Sequence, residues 1–304
     1  MRRAFFQLHI AVLLAGITGV LGRLITLNEG LLVWYRMMFS SMALWILFFF
    51  TKKLYRVNTK DMVTLIGAGA VVALHWVTFY GSIKYSNVSV SLVCFSAIGF
   101  FTAILEPLIV GTPFKRTELL LGLLVIAGIA LIFHFDSQYK TGIIIGLISA
   151  VLGSLFPVIN RKLLQRFTPE TVTLYQITGG FLFLSVMMPF YLQYAPADHL
   201  IPTWKDMGWL MILVLFCTVL AFNLSMQALK KISAFTVNLT YNLEPLYGIA
   251  LAFIIYREDK SLNGNFYIGM LLIATSVIWQ TLLVYKQHRT EKKVAANNDT
   301  VVNV

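Results

Sequence analysis

Apolar residues run along this chain in long blocks separated by short polar stretches. Ten blocks, at 5–25, 30–50, 62–83, 88–110, 117–135, 141–160, 171–194, 207–229, 234–256 and 264–285, are each close to the roughly 20 residues a helix needs to cross the hydrocarbon core. Uninterrupted runs of this length predict helices; barrel strands would alternate apolar and polar positions over about 10 residues. The first block follows Met1-Arg2-Arg3 as in a signal peptide. Its length, the lack of a small-x-small cleavage site and the second block close behind it predict an uncleaved first span. The expected fold class is an all-α integral membrane protein with ten transmembrane helices. After Tyr285 the chain turns polar, and 286–304 is expected to form a disordered cytoplasmic tail.

Composition agrees with that reading. Of 304 residues 58% are hydrophobic and 12% charged, against about 25% charged in a soluble domain. So apolar a chain cannot hide its side chains in a water-soluble globule, which excludes a cytosolic enzyme, a DNA-binding protein and a disordered chain. The net charge of +11 has its source in the loops. With the N-terminus placed in the cytoplasm, 17 of the 24 Lys and Arg fall in inner segments and 5 in outer ones, Arg23 and Arg36 lying at or within spans. That bias predicts both termini inside, in a multi-pass protein of a bacterial inner membrane whose surroundings are the lipid bilayer, with no nucleic-acid partner. Cys94 and Cys217 lie inside apolar blocks and suggest no disulfide framework.

The chain repeats itself. Val20-Leu21-Gly22-Arg23-Leu24 resembles Val151-Leu152-Gly153-Ser154-Leu155, 131 positions on, and Tyr35 has a counterpart in Tyr175, 140 on. Lys84-Tyr85-Ser86 pairs with Lys231-Ile232-Ser233, and Gly122 with Gly269, each 147 on. A duplicated unit of five spans, 5–135 and 141–285, is expected; five being odd, the second copy enters the membrane upside down. Inverted repeats recur in secondary transporters.

The run Asn242-Leu243-Glu244-Pro245-Leu246-Tyr247-Gly248-Ile249-Ala250-Leu251-Ala252-Phe253, with Arg257-Glu258 after it, resembles the ninth-helix signature of the EamA-type transporters of the drug/metabolite transporter superfamily. Arg36 in the second span, Gly122, Gly128 and Gly269, and the Lys-x-Ser turns are similar too. The resemblance covers about 5–285 and implies a 5+5 inverted repeat around a central cavity, with efflux of amino acids or related metabolites. Glu106-Pro107 does not align with Glu244-Pro245: at the offset of 147, Glu106 falls opposite Phe253.

No catalytic set, phosphate-cradling loop or metal-ligand cluster stands in the sequence, so no enzyme activity, cofactor or metal is expected. Ionisable groups at membrane depth stand out instead, because a charge there costs about 2.5–3.5 kcal/mol even on lenient scales. Glu244 falls mid-span, and Arg36 a third of the way into the second span. They form either a structural ion pair or a site in which Arg36 attracts a substrate carboxylate while Glu244 takes an amine or a coupling proton. His75 is either a neutral hydrogen-bonded imidazole or a proton relay, and Trp76 and Tyr80 beside it form an aromatic wall. Glu106 is either an interfacial anchor or a second coupling group. Asn238, Tyr241, Asn242 and Pro245 recur at i, i+3, i+4 and i+7, one helix face. Pro245 is expected to kink the ninth helix and free the Tyr241 carbonyl. Asn223 and Gln227, i and i+4 in the eighth span, are either cavity groups or interhelical hydrogen-bond partners.

The expected function is export of a small amphipathic metabolite by alternating access, from a monomer or homodimer. A sugar-phosphate or nucleotide-conjugate transporter, a lipid-carrier flippase, an intramembrane enzyme and a non-transporting scaffold are the alternatives.

Overall fold

The computed structural model describes residues 2–55, 57–111, 113–135, 137–229, 240–241, 243–279 and 282–283. Regular structure there is helical throughout. The helices are α1 (Arg2–Leu24), α2 (Glu29–Phe50), α3 (Thr59–Tyr85), α4 (Val88–Phe95), α5 (Ile98–Val110), α6 (Arg116–Phe135), α7 (Lys140–Leu163) and α8 (Pro169–Tyr194). Then come α9 (Trp204–Val214), a π-helical stretch (Leu215–Leu220), α10 (Ala221–Leu229), α11 (Glu244–Tyr256) and α12 (Gly264–Trp279). With Val88–Val110 and Trp204–Ser225 each counted as one span, 8 helices are long and apolar enough to cross a membrane, and α11 and α12 are shorter apolar helices. Residues 234–239 of the expected ninth span lie outside the described residues.

Short polar residues set where the spans begin. Asn28, Asn58, Asn87, Thr168 and Thr203 are N-caps whose side-chain oxygens accept from the backbone N–H three positions on. Each satisfies a donor that the first turn leaves without a partner. Large apolar side chains such as Phe50 (77% exposed) and Ile254 (72%) point away from the bundle, as hydrocarbon contact requires.

Equivalent helices of the two halves run antiparallel. At one end of the α2–α8 pair the Tyr191 hydroxyl donates to Glu29 Oε1 at 2.6 Å; at the other Lys53 Nζ lies 3.0 Å from Glu170 Oε1. Along α6 and α12, Ser276 Oγ donates to the Leu121 carbonyl at 2.6 Å, and a Cβ on Gly128 would sit 2.7 Å from the Gly269 carbonyl oxygen. Polar contacts obey the same inversion. Tyr35 OH donates to the Leu200 carbonyl at 3.2 Å and Tyr175 OH to the Tyr55 carbonyl at 3.4 Å. Asp61, at the start of α3, accepts from Arg166 Nη2 at 2.8 Å in the α7–α8 connection. Its counterpart Asp206, at the start of α9, accepts from Thr26 N at 2.8 Å and Thr26 Oγ1 at 2.6 Å in the α1–α2 connection. Each half thus fastens the first interhelical connection of the other.

The fourth span departs from expectation. It is broken at Ser96–Ala97, where the ladder tightens: Ala97 N donates to the Cys94 carbonyl at 3.0 Å. The ninth span breaks at Leu243, whose N–H reaches the Thr240 carbonyl at 3.0 Å, 147 positions after Ser96. Pro245 therefore does not kink a continuous helix. It occupies the first turn of α11, where its missing N–H leaves no bond unmade.

Candidate functional site

A third of the way along α2 the guanidinium of Arg36 is buried, 4% exposed. Its Nη1 donates to Tyr80 OH at 2.7 Å, and its Nε and Nη2 both donate to Thr218 Oγ1 at 3.2 Å. The Trp76 ring lies across its face, with Cζ 3.8 Å from the ring centroid, a geometry in which a cation is attracted to the π-cloud. Thr218 reaches inward because the helix is π-wound there. Its hydroxyl donates to the carbonyl of Leu213, five residues back, at 3.0 Å, and such local widening is frequent at functional sites.

No ion pair compensates this charge among the described residues. Of the five N–H groups of a guanidinium, these bonds occupy three and leave one on each terminal nitrogen. Glu244 is close enough for Arg36 to act on it electrostatically, as are His75 and Cys217, yet it makes no ion pair with Arg36. Its carboxylate sits in the first turn of α11, at the positive end of a helix. Tyr241 OH is 2.6 Å from Ser225 Oγ. His75 Nδ1 lies 2.8 Å from the Ser149 carbonyl, which can only accept, so this nitrogen carries the proton; Ser149 Oγ is 2.9 Å away.

The sequence-derived candidates thus fall into groups. Arg36, Trp76 and Tyr80 meet at the centre, with Thr218 as the partner that hydropathy gave no means of finding; His75 and Glu244 lie within the electrostatic reach of Arg36. Asn223 and Gln227 line another place, a small open cleft between α2, the start of α8 and α10, toward the face where α1 begins. There Gln7 Nε2 donates to Gln227 Oε1 at 2.8 Å and Gln227 Nε2 to Asn223 Oδ1 at 2.9 Å. Glu106 lies in α5, three residues beyond Ala103 and five short of the αL cap at Gly111. Asn238 and Asn242 lie outside the described residues. Among the described residues no group of three His, Cys, Asp or Glu side chains stands together to hold a metal ion.

On the opposite face the helix ends are tied together around Glu258, 2% exposed. It accepts from Arg23 Nη1, from Val88 N at 3.1 Å, and from Ser89 N and Oγ at 2.8 and 2.5 Å. Arg257, in the left-handed region at φ 54°, turns the chain so that Glu258 lies beneath the start of α4. Arg23 also stacks over Tyr256, whose hydroxyl donates to the Val20 carbonyl at 2.8 Å.

Two inverted helical halves with a buried cation that has no ion pair among the described residues define a multi-pass membrane protein. The chain belongs to the EamA-like transporter family, which it matches over residues 2–134 and again over 140–282. It is 23% identical over 285 residues to an "Uncharacterized transporter" of Haemophilus influenzae, covering 86% of this chain and 90% of that protein. It is 25% identical over 271 residues to "Uncharacterized transporter YetK" of Bacillus subtilis, covering 84% and 80%. A crystal structure 14% identical in sequence matches 93% of this chain and 98% of its own with a TM-score of 0.63, a likeness of fold alone. Family and relatives point to a transporter rather than an enzyme.

Proposed function

We propose that this chain is a secondary transporter that exports a small amphipathic metabolite, an amino acid or a related compound, by alternating access. In this reading ten spans cross the bacterial inner membrane with both termini cytoplasmic, and the halves 5–135 and 141–285 rock about a central site. The observation that carries it is Arg36: a buried cation held by a hydroxyl, a phenol and an indole face, with no carboxylate paired to it among the described residues. Burying a charge without a partner is costly, so the arrangement is completed when a solute brings its own carboxylate. Glu244, unpaired with Arg36 and at the head of α11, receives the ammonium of the same solute or a coupling proton.

Transport in proteoliposomes tests this. Wild type should show counterflow of labelled amino acids, and Arg36→Ala and Glu244→Gln should each lose it. Dependence on an imposed pH gradient assigns the coupling proton to Glu244. No flux of any amino acid overturns the substrate class, and full activity in both variants makes these charges structural.

A further inference from the structure

We infer that Gly22, in the last turn of α1, is a positioning residue of the Arg36 site: the space it leaves seats the ring of Tyr80, and through the Tyr80 hydroxyl it sets the grip of Arg36 on a solute carboxylate. The inference rests on the transport reading above and deepens it.

A Cβ on Gly22 would overlap Cδ1 and Cε1 of Tyr80. A loosely held side chain would step aside, but Tyr80 is 0% exposed. Its hydroxyl accepts from Arg36 Nη1 at 2.7 Å, and its ring packs edge-on against Phe79 with centroids 5.5 Å apart. The helix is fixed as well, because Arg23, the next residue, is bonded to Glu258. The added atom therefore displaces the Tyr80 ring, and the oxygen moves with the ring as one rigid plane. Hydrogen bonds weaken steeply once distance and angle leave their narrow range, so the bond to Arg36 is the first to suffer.

The effect reaches the solute through the guanidinium plane. Tyr80 holds Nη1, while Thr218 holds Nε and Nη2. Fixed at both ends, the plane presents its remaining N–H groups, one on each terminal nitrogen, in the fork that a carboxylate accepts from. Held by Thr218 alone, the group turns and the fork is no longer preorganised. The same glycine recurs in the other half. Gly153, 131 positions on, leaves room for the ring of His75, whose Cε1 would lie 2.9 Å from an added Cβ. Two rings of α3 thus rest on the repeated glycine of α1 and of α7, and the one on Gly22 is bonded to Arg36.

The test reads anion recognition, not activity alone. Counterflow of labelled leucine in proteoliposomes is competed with unlabelled leucine and with leucinamide, which lacks the carboxylate. Where wild type favours leucine roughly tenfold or more, Gly22→Ala should favour it about threefold or less. Tyr80→Phe, which keeps the ring and removes the hydroxyl, should do the same, and the double variant should lose no more than either single one. Gly128→Ala is the control for packing: its Cβ would lie 2.7 Å from the Gly269 carbonyl oxygen, between α6 and α12. It should lower the unfolding temperature and keep the wild-type preference. A wild-type preference in Gly22→Ala, an equal loss in Gly128→Ala, or losses that multiply in the double variant overturn the positioning role. Should Gly22→Ala fail to fold, Gly22→Ala with Tyr80→Val, which removes the ring, should fold and match Tyr80→Val in preference; failure or a mismatch there overturns the role too. Each of these results, with Arg36→Ala inactive, leaves the transport reading standing. If wild type moves no leucine, or Arg36→Ala behaves as wild type, the transport reading fails and the positioning role with it.

Discussion

Glu258 lies beneath Arg23, which precedes it by 235 residues, and together they join the end of α1, the start of α4 and the end of α11. The sequence of the inverted counterpart does not repeat the pair. Gly111 is the left-handed cap at the end of α5 as Arg257 is at the end of α11. The residue after it is Thr112 in place of an acid, and Arg23 is matched, 131 on, by Ser154. The pair thus favours closure of one face only. Glu258→Gln removes the charge from these bonds, each net worth about 1–2 kcal/mol, and should raise the population open at that face roughly tenfold. A cysteine at Val20, in a Cys94→Ser, Cys217→Ser background, should then react faster with an impermeant maleimide. Equal labelling with and without Glu258 would contradict this role.

The two aspartates that fasten the interhelical connections should not cost the same when removed. Asp206 is 1% exposed and accepts two bonds from Thr26 and one from Thr203 Oγ1, so Asp206→Ala removes charge-assisted bonds worth about 1.5–3 kcal/mol. Asp61 accepts from Arg166, whose side chain is 64% exposed, and such pairs are worth about 0–1 kcal/mol. Thermal unfolding in detergent should show the larger fall for Asp206→Ala. The reverse order would mean that the correspondence of the two halves does not extend to their energetics.

Close helix contact sets a third expectation. A Cβ on Gly69 of α3 would come 2.8 Å from the backbone N of Gly180 on α8 and would also meet the Gln176 carbonyl, whereas Gly67 faces open space. Gly69→Ala should destabilise by about 1–3 kcal/mol because backbone cannot yield. Gly67→Ala should be neutral or gain up to about 1 kcal/mol from helix propensity. Matching unfolding temperatures for the two variants would refute the packing described for α3 and α8.

Much of this architecture could be read before any coordinates. The first eight apolar blocks fall on helices long enough to cross a membrane, because hydrocarbon thickness fixes their length, and Arg36 stands out because a cation at membrane depth demands company; the pattern set Trp76 and Tyr80 beside His75 and did not place them on Arg36. Thr218 was hidden, since its role depends on a π-helical register that hydropathy does not record. Asn223 and Gln227 share a helix face, as their spacing implied, and Gln7 of α1 bonds to Gln227 across the helices. The role of Glu258 was hidden, because a left-handed turn at Arg257 is what brings it under α4. The break at Ser96–Ala97 has no Pro to announce it, only Gly99 two residues on. Asp61 and Asp206 escaped pairing because their offset of 145 differs from those of the other matched motifs.

The central claim is that Arg36 awaits an anion carried by the solute. Its most direct test is competition for labelled leucine counterflow by unlabelled leucine and by leucinamide, which keeps the ammonium and side chain and lacks the carboxylate. In wild type, leucine should compete roughly tenfold better or more, the equivalent of about 1.4 kcal/mol from charged hydrogen bonds. In Arg36→Lys, which keeps the charge and loses the fork of donors, residual counterflow should discriminate less between the two. Equal competition by leucine and leucinamide in wild type would contradict the claim.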